Sequence, residues 1–288
     1  MGRTALAGLG VFVPGKVAAA EKAGGREIAV FTKFLEKLNF DELAEAISPL
    51  GVAGLEAPLR KGGHVEPEEL AEKLPAFVAD LAKRNLKVMI MASSINRVDK
   101  EGLAEKQLRA AKAAGITRYR LEHLKYDLSK PIAPQVANFK AQLTDLATMN
   151  AEIGIQGLYQ NHRGNNFVGG PIWDMVGMLE EIDVKHLGLA FDFAHATVEG
   201  ANAWEMNFLR AVPHIGAIYY KDYRLDGKTW NPCPIGEGCV NAKSGKLVAK
   251  LSPEVPIAIH IEYVKGGDVA KTVEAMKNDL ATVRKWLG

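Results

Sequence analysis

Cysteine is nearly absent. Two residues, Cys233 and Cys239, stand in a chain of 288. That excludes a disulfide-built scaffold and a zinc site of four thiolates. Long apolar runs are missing as well, and no stretch reaches the roughly 18 residues that a membrane span needs. Neither sign of charge is in excess: Lys and Arg number 36 against 34 Asp and Glu, a formal net charge of +2. With no basic block in the chain, that balance leaves no electrostatic footprint for nucleic acid. No strand candidate is followed by GxGxxG or by GxxxxGKS/T, so the glycine signatures of a dinucleotide fold and of a P-loop are both missing.

What is present is 48% hydrophobic residues, enough to fill a large core and to exclude wholesale disorder. Residues 1–25 read MGRTALAGLGVFVPGKVAAAEKAGG and stand apart. A small-residue apolar run, Thr4 to Val13, precedes Val17-Ala18-Ala19-Ala20, the shape of a signal h-region with an A-x-A cleavage site. Only Arg3 adds charge ahead of it. Two readings stay open: a Sec-like or twin-arginine export signal on a periplasmic protein, or an Ala/Gly-rich arm on a cytoplasmic one. Both leave a domain of residues 26–288.

From Glu27 onward, short apolar runs alternate with long amphipathic ones. Strands are expected at 28–31 (IAVF), 52–56 (VAGLE), 86–91 (LKVMIM), 116–121 (ITRYRL), 153–159 (IGIQGLY), 187–191 (LGLAF), 215–220 (IGAIYY) and 257–261 (IAIHI). Most are bounded by Gly, Asn or Pro and are too short for helices. Helices are expected between them, with Asp41 capping ELAEAI and Pro67 opening the segment through LAEKLPAFVADLAKR. Further helices are read at 102–114, 134–150, 172–182, 203–212 and 247–251. Asp268 caps VAKTVEAMKNDLATVRKWL, the clearest amphipathic helix in the chain. Strict strand–helix alternation implies a parallel sheet. Eight units in about 260 residues imply a single-domain α/β fold, a closed (β/α)8 TIM barrel.

In such a barrel, chemistry gathers at the C-terminal ends of the strands. The second strand ends in Glu56 and leads to Arg60 and His64. The fourth carries Arg120 and Glu122, and the fifth runs into Gln160-Asn161-His162. The sixth ends in Asp192 with His195 three residues on. The seventh ends Tyr219-Tyr220-Lys221-Asp222 and the eighth His260-Ile261-Glu262. Period-two alternation puts Gln160 with His162, Tyr219 with Lys221, and His260 with Glu262. Taken singly, an Asp after a strand is a helix cap and a His is a packed core residue. A polar group pointing into a barrel core costs a few kcal/mol unless it is paired. Recurrence of such groups at consecutive strand ends is better explained by one cavity.

At these strand ends the sequence resembles the xylose isomerase-like TIM-barrel superfamily of sugar isomerases and epimerases. The segments that carry the resemblance are VAGLEAPLRKGGHVEPEEL, LYQNHRG, FDFAHATVEG, YYKDYR, PIGEGCVN and HIEY. More narrowly they are similar to an exported bacterial subgroup labelled sugar phosphate isomerase/epimerase. The resemblance implies a divalent cation (Mn, Mg, Co or Zn) held by Glu, Asp, His and Glu on the fifth to eighth strands. The matching positions here are Gln160, Asp192, Tyr219 and Glu262, so two of the four depart. Hard cations prefer carboxylates and water. Asp192, Glu262 and Gln160 then either hold a weakly bound ion or mark a site that has lost it.

Isomerisation and epimerisation need a base for a proton beside a carbonyl, and a cation or donor for the enediolate oxygen. Glu262 is the candidate base, with Asp192 or His195 opposite. Lys221 is the candidate source of the charge that a lost metal would have supplied, or an acid if desolvation lowers its pKa. Glu56, Arg60, His64, Arg120, Gln160, His162, Tyr219, Glu237 and His260 are candidate substrate contacts. Glu237 sits in the long segment 223–241, which reads as a lid or substrate wall; a solvated turn carboxylate is the plainer reading. A lyase or hydrolase acting on an oxidised (keto) sugar, and a sugar-binding barrel without catalysis, are the alternatives. A small carbohydrate is the partner implied throughout. Cys233 and Cys239 pair if the protein is exported, and otherwise remain two thiols in a Gly/Pro-rich loop.

Overall fold

A computed structural model describes residues 26–252 and 254–288; the signal-like segment 1–25 lies outside the described residues. Eight parallel strands close into a barrel. They are β1 (Ile28–Phe31), β2 (Gly54–Pro58), β3 (Lys87–Ala92), β4 (Arg118–Arg120), β5 (Gln156–Gln160), β6 (Leu187–Asp192), β7 (Ile215–Tyr220) and β10 (Ile257–Ile259). Each pairs with its sequence neighbour in the barrel, and β1 closes the ring on β10 through Ile28↔Ile257 and Val30↔Ile259. The expected (β/α)8 fold is therefore the observed one.

The helices follow in order. They are α1 (Phe40–Ile47), α2 (Leu70–Ala82), α3 (Leu103–Ala113), α4 (Ile132–Ile153), α5 (Ile172–Leu179), α6 (Phe193–Gly200), α7 (Trp204–Ala211), α8 (Ala242–Leu251) and α9 (Val269–Leu287). Asp268 caps α9 as expected, accepting from the Lys271 amide. For α1 the expected cap is wrong. Asn39, not Asp41, accepts from the Glu42 amide, and Glu42 returns the bond in a capping box. Asp41 instead pairs with Arg84 at 2.5 Å. Pro67 opens a single 3-10 turn, Pro67–Glu69, before α2 begins. Two elements differ more. Helix α6 follows β6 with no loop at all, and 222–233 forms an antiparallel hairpin of β8 (Asp222–Asp226) and β9 (Thr229–Cys233).

Two apolar regions result. The larger lies between strands and helices and includes Phe77, Leu146, Phe191, Phe208 and Leu280. The smaller fills the barrel itself: Ala29, Met89, Ile90, Leu158, Ala190, Ala217, Tyr219 and Ala258. Four alanines in that layer keep the middle of the barrel narrow. Two residues further along three of these strands, on the same face, the inward positions turn polar: Gln160 after Leu158, Asp192 after Ala190, His260 after Ala258. That switch places the candidate site at the C-terminal mouth.

Candidate active site

The base of the mouth is a closed polar cluster. The Glu56 side chain is 0% exposed and accepts from Arg120 Nε at 2.6 Å, while its other oxygen meets His260 Nε2 at 2.7 Å. Burial would raise the Glu56 pKa, but His260 and Arg120 outweigh it and hold it at about 2. The His260 ring lies between Phe31 and Tyr219, 4.5 Å from each. The Tyr219 hydroxyl makes no hydrogen bond of normal geometry among the described residues. Burial first, then the Glu56 charge, pushes that phenol well above its ordinary pKa. Glu56, Arg120 and His260 thus satisfy one another, with the Tyr219 ring packed against His260.

Above this floor sit Asp192, Lys221 and Glu262. Asp192 ends β6 and caps α6, its Oδ1 accepting from the His195 amide at 3.0 Å. Its backbone is clamped by Asn161, which donates to the Asp192 carbonyl at 3.0 Å and accepts from the Asp192 amide at 2.8 Å. Gln160 Nε2 donates to Asp192 Oδ2 at 2.8 Å. Lys221 Nζ lies 3.3 Å from that oxygen and 3.1 Å from Glu262 Oε1. Glu262 Oε2 accepts from the Tyr223 hydroxyl at 2.7 Å. Burial would raise the Glu262 pKa; Lys221, His260 and Tyr223 outweigh it and bring it to about 2. Burial would equally depress Lys221, yet Asp192 and Glu262 lift it above the ordinary lysine value. Lys221 therefore stays an ammonium, and a depressed, near-neutral amine is not what this environment produces.

Three imidazoles adjoin this group, with His195 Nε2 3.8 Å from Asp192 Oδ2. His162 lies 4.0 Å from His195 and 4.6 Å from His123, ring to ring, with Phe167 packed on both His162 and His123. His162 Nδ1 is paired to the Arg163 carbonyl at 2.7 Å. His195 is fully buried with neither ring nitrogen bonded, and His123 Nε2 is also without a partner. Burial, then neighbouring positive charge, lowers all three: His162 to about 4, His123 to about 2, and His195 well below its usual value. At neutral pH each is an uncharged ring with donor and acceptor capacity.

The remaining candidates lie apart from this cluster or at its rim. Arg60 is half-buried within electrostatic reach of Arg120 and Glu56. His64 turns to the residue that follows β1, Thr32, whose Oγ1 its Nε2 meets at 2.8 Å, and its ring stacks on Phe77 of α2. Glu237 is exposed and faces Arg224 at 3.8 Å. Its loop is tied down by Asp222, whose carboxylate accepts from the amides of Tyr223, Gly236, Gly238 and Val240. Cys233 and Cys239 are both free thiols.

Tyr223, Arg163 and His123 belong to the site without having been singled out in the sequence. Arg163 lies over the Tyr223 ring at 4.6 Å. His123 follows β4 directly beside Glu122, so the strand-end rule that selects Glu122 selects it too. Tyr223 gave no such signal, because it belongs to the hairpin.

The residues do not fit a divalent cation of the kind the family resemblance implies. Among the described residues no three His, Cys, Asp or Glu side chains converge as ligands. The Gln160 amide turns its nitrogen, not its oxygen, toward Asp192. Tyr219 stands where the pattern has a His, and an ammonium lies between the two carboxylates.

The chain matches the family described as xylose isomerase-like TIM barrel over residues 44–272. No curated protein matches the sequence. Among solved structures, it is similar to 3-keto-D-glucoside 4-epimerase YcjR from E. coli: TM-score 0.68, 14% identity, 90% of this chain and 99% of that one. It is also similar to the probable 3-DHS dehydratase AsbF from Bacillus anthracis: TM-score 0.65, 15% identity, 88% and 97% covered. A third is a xylose isomerase-like TIM barrel protein from Mycobacterium smegmatis in complex with magnesium: TM-score 0.64, 14% identity, 93% and 100% covered. At these identities the likeness is one of fold.

Proposed function

We infer that this chain, which belongs to the xylose isomerase-like TIM-barrel family, is a carbohydrate isomerase or epimerase that works by removing a proton beside a carbonyl. One observation carries the reading. An ionised Glu262, a quarter of its side chain still exposed, shares the barrel mouth with a buried neutral His195 whose ring nitrogens are both free.

A carbohydrate at the mouth would meet Glu262 and the imidazole cluster next to it. Glu262 takes the proton from the carbon next to the carbonyl. The C–H electrons become the C=C bond, and the carbonyl oxygen takes the negative charge. Delivery of a proton to the opposite face by a second group, with Glu262 losing its own proton to solvent, gives the epimer; delivery to the neighbouring carbon, with proton transfer between the oxygens, gives the isomer. His195, with donor and acceptor both unspent, and His162, whose Nδ1–H is committed to the Arg163 carbonyl and whose Nε2 remains an acceptor, suit hydroxyl groups and the second proton transfer.

Exchange of solvent deuterium into keto sugars such as D-fructose, followed by NMR, tests this. Wild type should exchange, and Glu262→Gln should be slower by about 10²-fold or more. No exchange into any of a ketose and keto-glycoside panel would sink the reading in favour of a barrel that only binds sugar. Elimination from a keto sugar is the second reading, favoured by the ammonium held beside the base, which can support a departing hydroxyl. Loss of one water, seen by mass, would identify it.

A further inference from the structure

We propose that Lys221 is this protein's built-in replacement for the family's divalent cation, so that the enediolate oxygen is held by an ammonium and the reaction needs no metal. The inference rests on the proton-abstraction reading above for what the cation does, but its geometric part stands alone.

Asp192 and Glu262 are the two positions that keep the family's acidic ligands, and every carboxylate oxygen of the pair already has a protein partner. Asp192 Oδ1 accepts from the His195 amide. Asp192 Oδ2 faces Gln160 Nε2 at 2.8 Å and Lys221 Nζ at 3.3 Å. Glu262 Oε1 faces Lys221 Nζ at 3.1 Å, and Oε2 takes the Tyr223 hydroxyl. A dication entering here must strip these donors and displace the ammonium. Lys221 is 3% exposed, so a displaced ammonium would remain buried near a doubly charged ion and repel it strongly.

The same geometry shows what the lysine offers. An ammonium has three N–H donors. One bonds Glu262 Oε1, and the ion pair with Asp192 at 3.3 Å helps fix the nitrogen in place. Among the described residues no other carboxylate pairs with the ammonium, which leaves N–H capacity for a ligand oxygen. Lys221 gives up no proton in the cycle: Glu262 receives the substrate proton, a second group supplies the proton when the face changes, and the ammonium only compensates the charge that appears on oxygen. The Gln160 amide completes the exchange of ligand set for donor set, since an amide NH2 can steady Asp192 where a carboxylate would repel it.

The test is a titration of chelator-stripped protein with Mn, read by the EPR signal of free Mn and by calorimetry, beside deuterium exchange with and without EDTA. Wild type should take up no stoichiometric Mn below about 1 mM, and its exchange should be unchanged by EDTA. A Gln160→Glu, Lys221→Ala double variant should bind Mn at least about tenfold more tightly, because a ligand is added and the competing cation removed. One tightly bound Mn per wild-type chain would overturn the inference even if exchange into sugars were observed. Absent exchange with absent Mn binding would overturn the sugar reading and leave the lysine's exclusion of metal in place. Should the double variant not fold by circular dichroism, the wild-type titration decides the matter by itself.

Discussion

Replacing Arg120 with Met should cost this fold more than most single substitutions. Glu56 is 0% exposed and has two partners, Arg120 at 2.6 Å and His260 at 2.7 Å. Removing the guanidinium leaves a buried carboxylate with one partner only, a change that typically costs about 3–5 kcal/mol. For a chain of this length about 1 kcal/mol corresponds to roughly 2 °C in melting temperature, so a drop of about 6–10 °C is expected by scanning calorimetry. Glu56→Leu should cost a similar amount, because it strands the guanidinium. The Glu56→Leu, Arg120→Met double variant should recover most of the loss, since apolar replacement of both members of a buried pair is often neutral. The pair also sets a pH window. Glu56 is held at about 2 when folded, against about 4.3 for an unperturbed Glu. Its stabilising contribution is therefore complete above the unfolded value and disappears as pH falls from about 4 toward 2. A melting temperature within about 1 °C of wild type for Arg120→Met, or simple additivity in the double variant, would refute this account of the floor.

Tyr223→Phe removes a hydrogen bond that favours the ionised Glu262, so the Glu262 pKa should rise from about 2. The acid limb of deuterium exchange should move to higher pH while the plateau at neutral pH changes less; an unmoved limb would show that the phenol does not tune the base. Asp279, inside α9, is buried and raised to about 7. An acid whose folded pKa lies above its unfolded value of about 3.9 destabilises the fold progressively as pH rises between the two. Asp279→Asn should therefore raise the melting temperature at pH 8 and leave it little changed at pH 4, and equal effects at both pH values would exclude the titration.

The barrel was legible because its strands are short apolar runs and its helices carry three- and four-residue steps. Boundaries moved where one run served two elements. Ile153 reads as the start of a strand but closes α4, with Gly154 at φ 74° as its stop and β5 starting only at Gln156. Helix α6 escaped because Asp192 is both the last strand residue and the helix cap, so no turn residue separates the two. The hairpin did leave a signal. Gly227-Lys228 is the two-residue loop between the paired Asp226 and Thr229, with Gly227 at φ 59° in the first turn position. Among polar residues, strand parity placed Gln160, Asp192, Lys221, His195 and Glu262 together. It did not separate the floor from the mouth, because that division depends on who pairs with whom. Glu56 and Arg120 come from β2 and β4, 64 residues apart, and only closure of the barrel brings them into contact.

That division bears on how a ligand would be recognised. The buried charges are already committed: Glu56 to Arg120 and His260, and Asp192 and Glu262 to Lys221 and their hydrogen-bond donors. The polar atoms left without partners are different in kind. In this cluster, among the described residues, they are both nitrogens of His195, Nε2 of His123 and the hydroxyl of Tyr219, all neutral at pH 7 by the direction of their shifts. A neutral imidazole offers one donor and one acceptor, which is also what a sugar hydroxyl requires. Charge in this site is thus arranged before any ligand arrives, and so carries little reorganisation cost when an oxyanion forms. On the proposed reading, recognition would fall largely to these uncharged groups, which have no protein partner to give up and could bond a polyol without moving an ion into or out of the barrel.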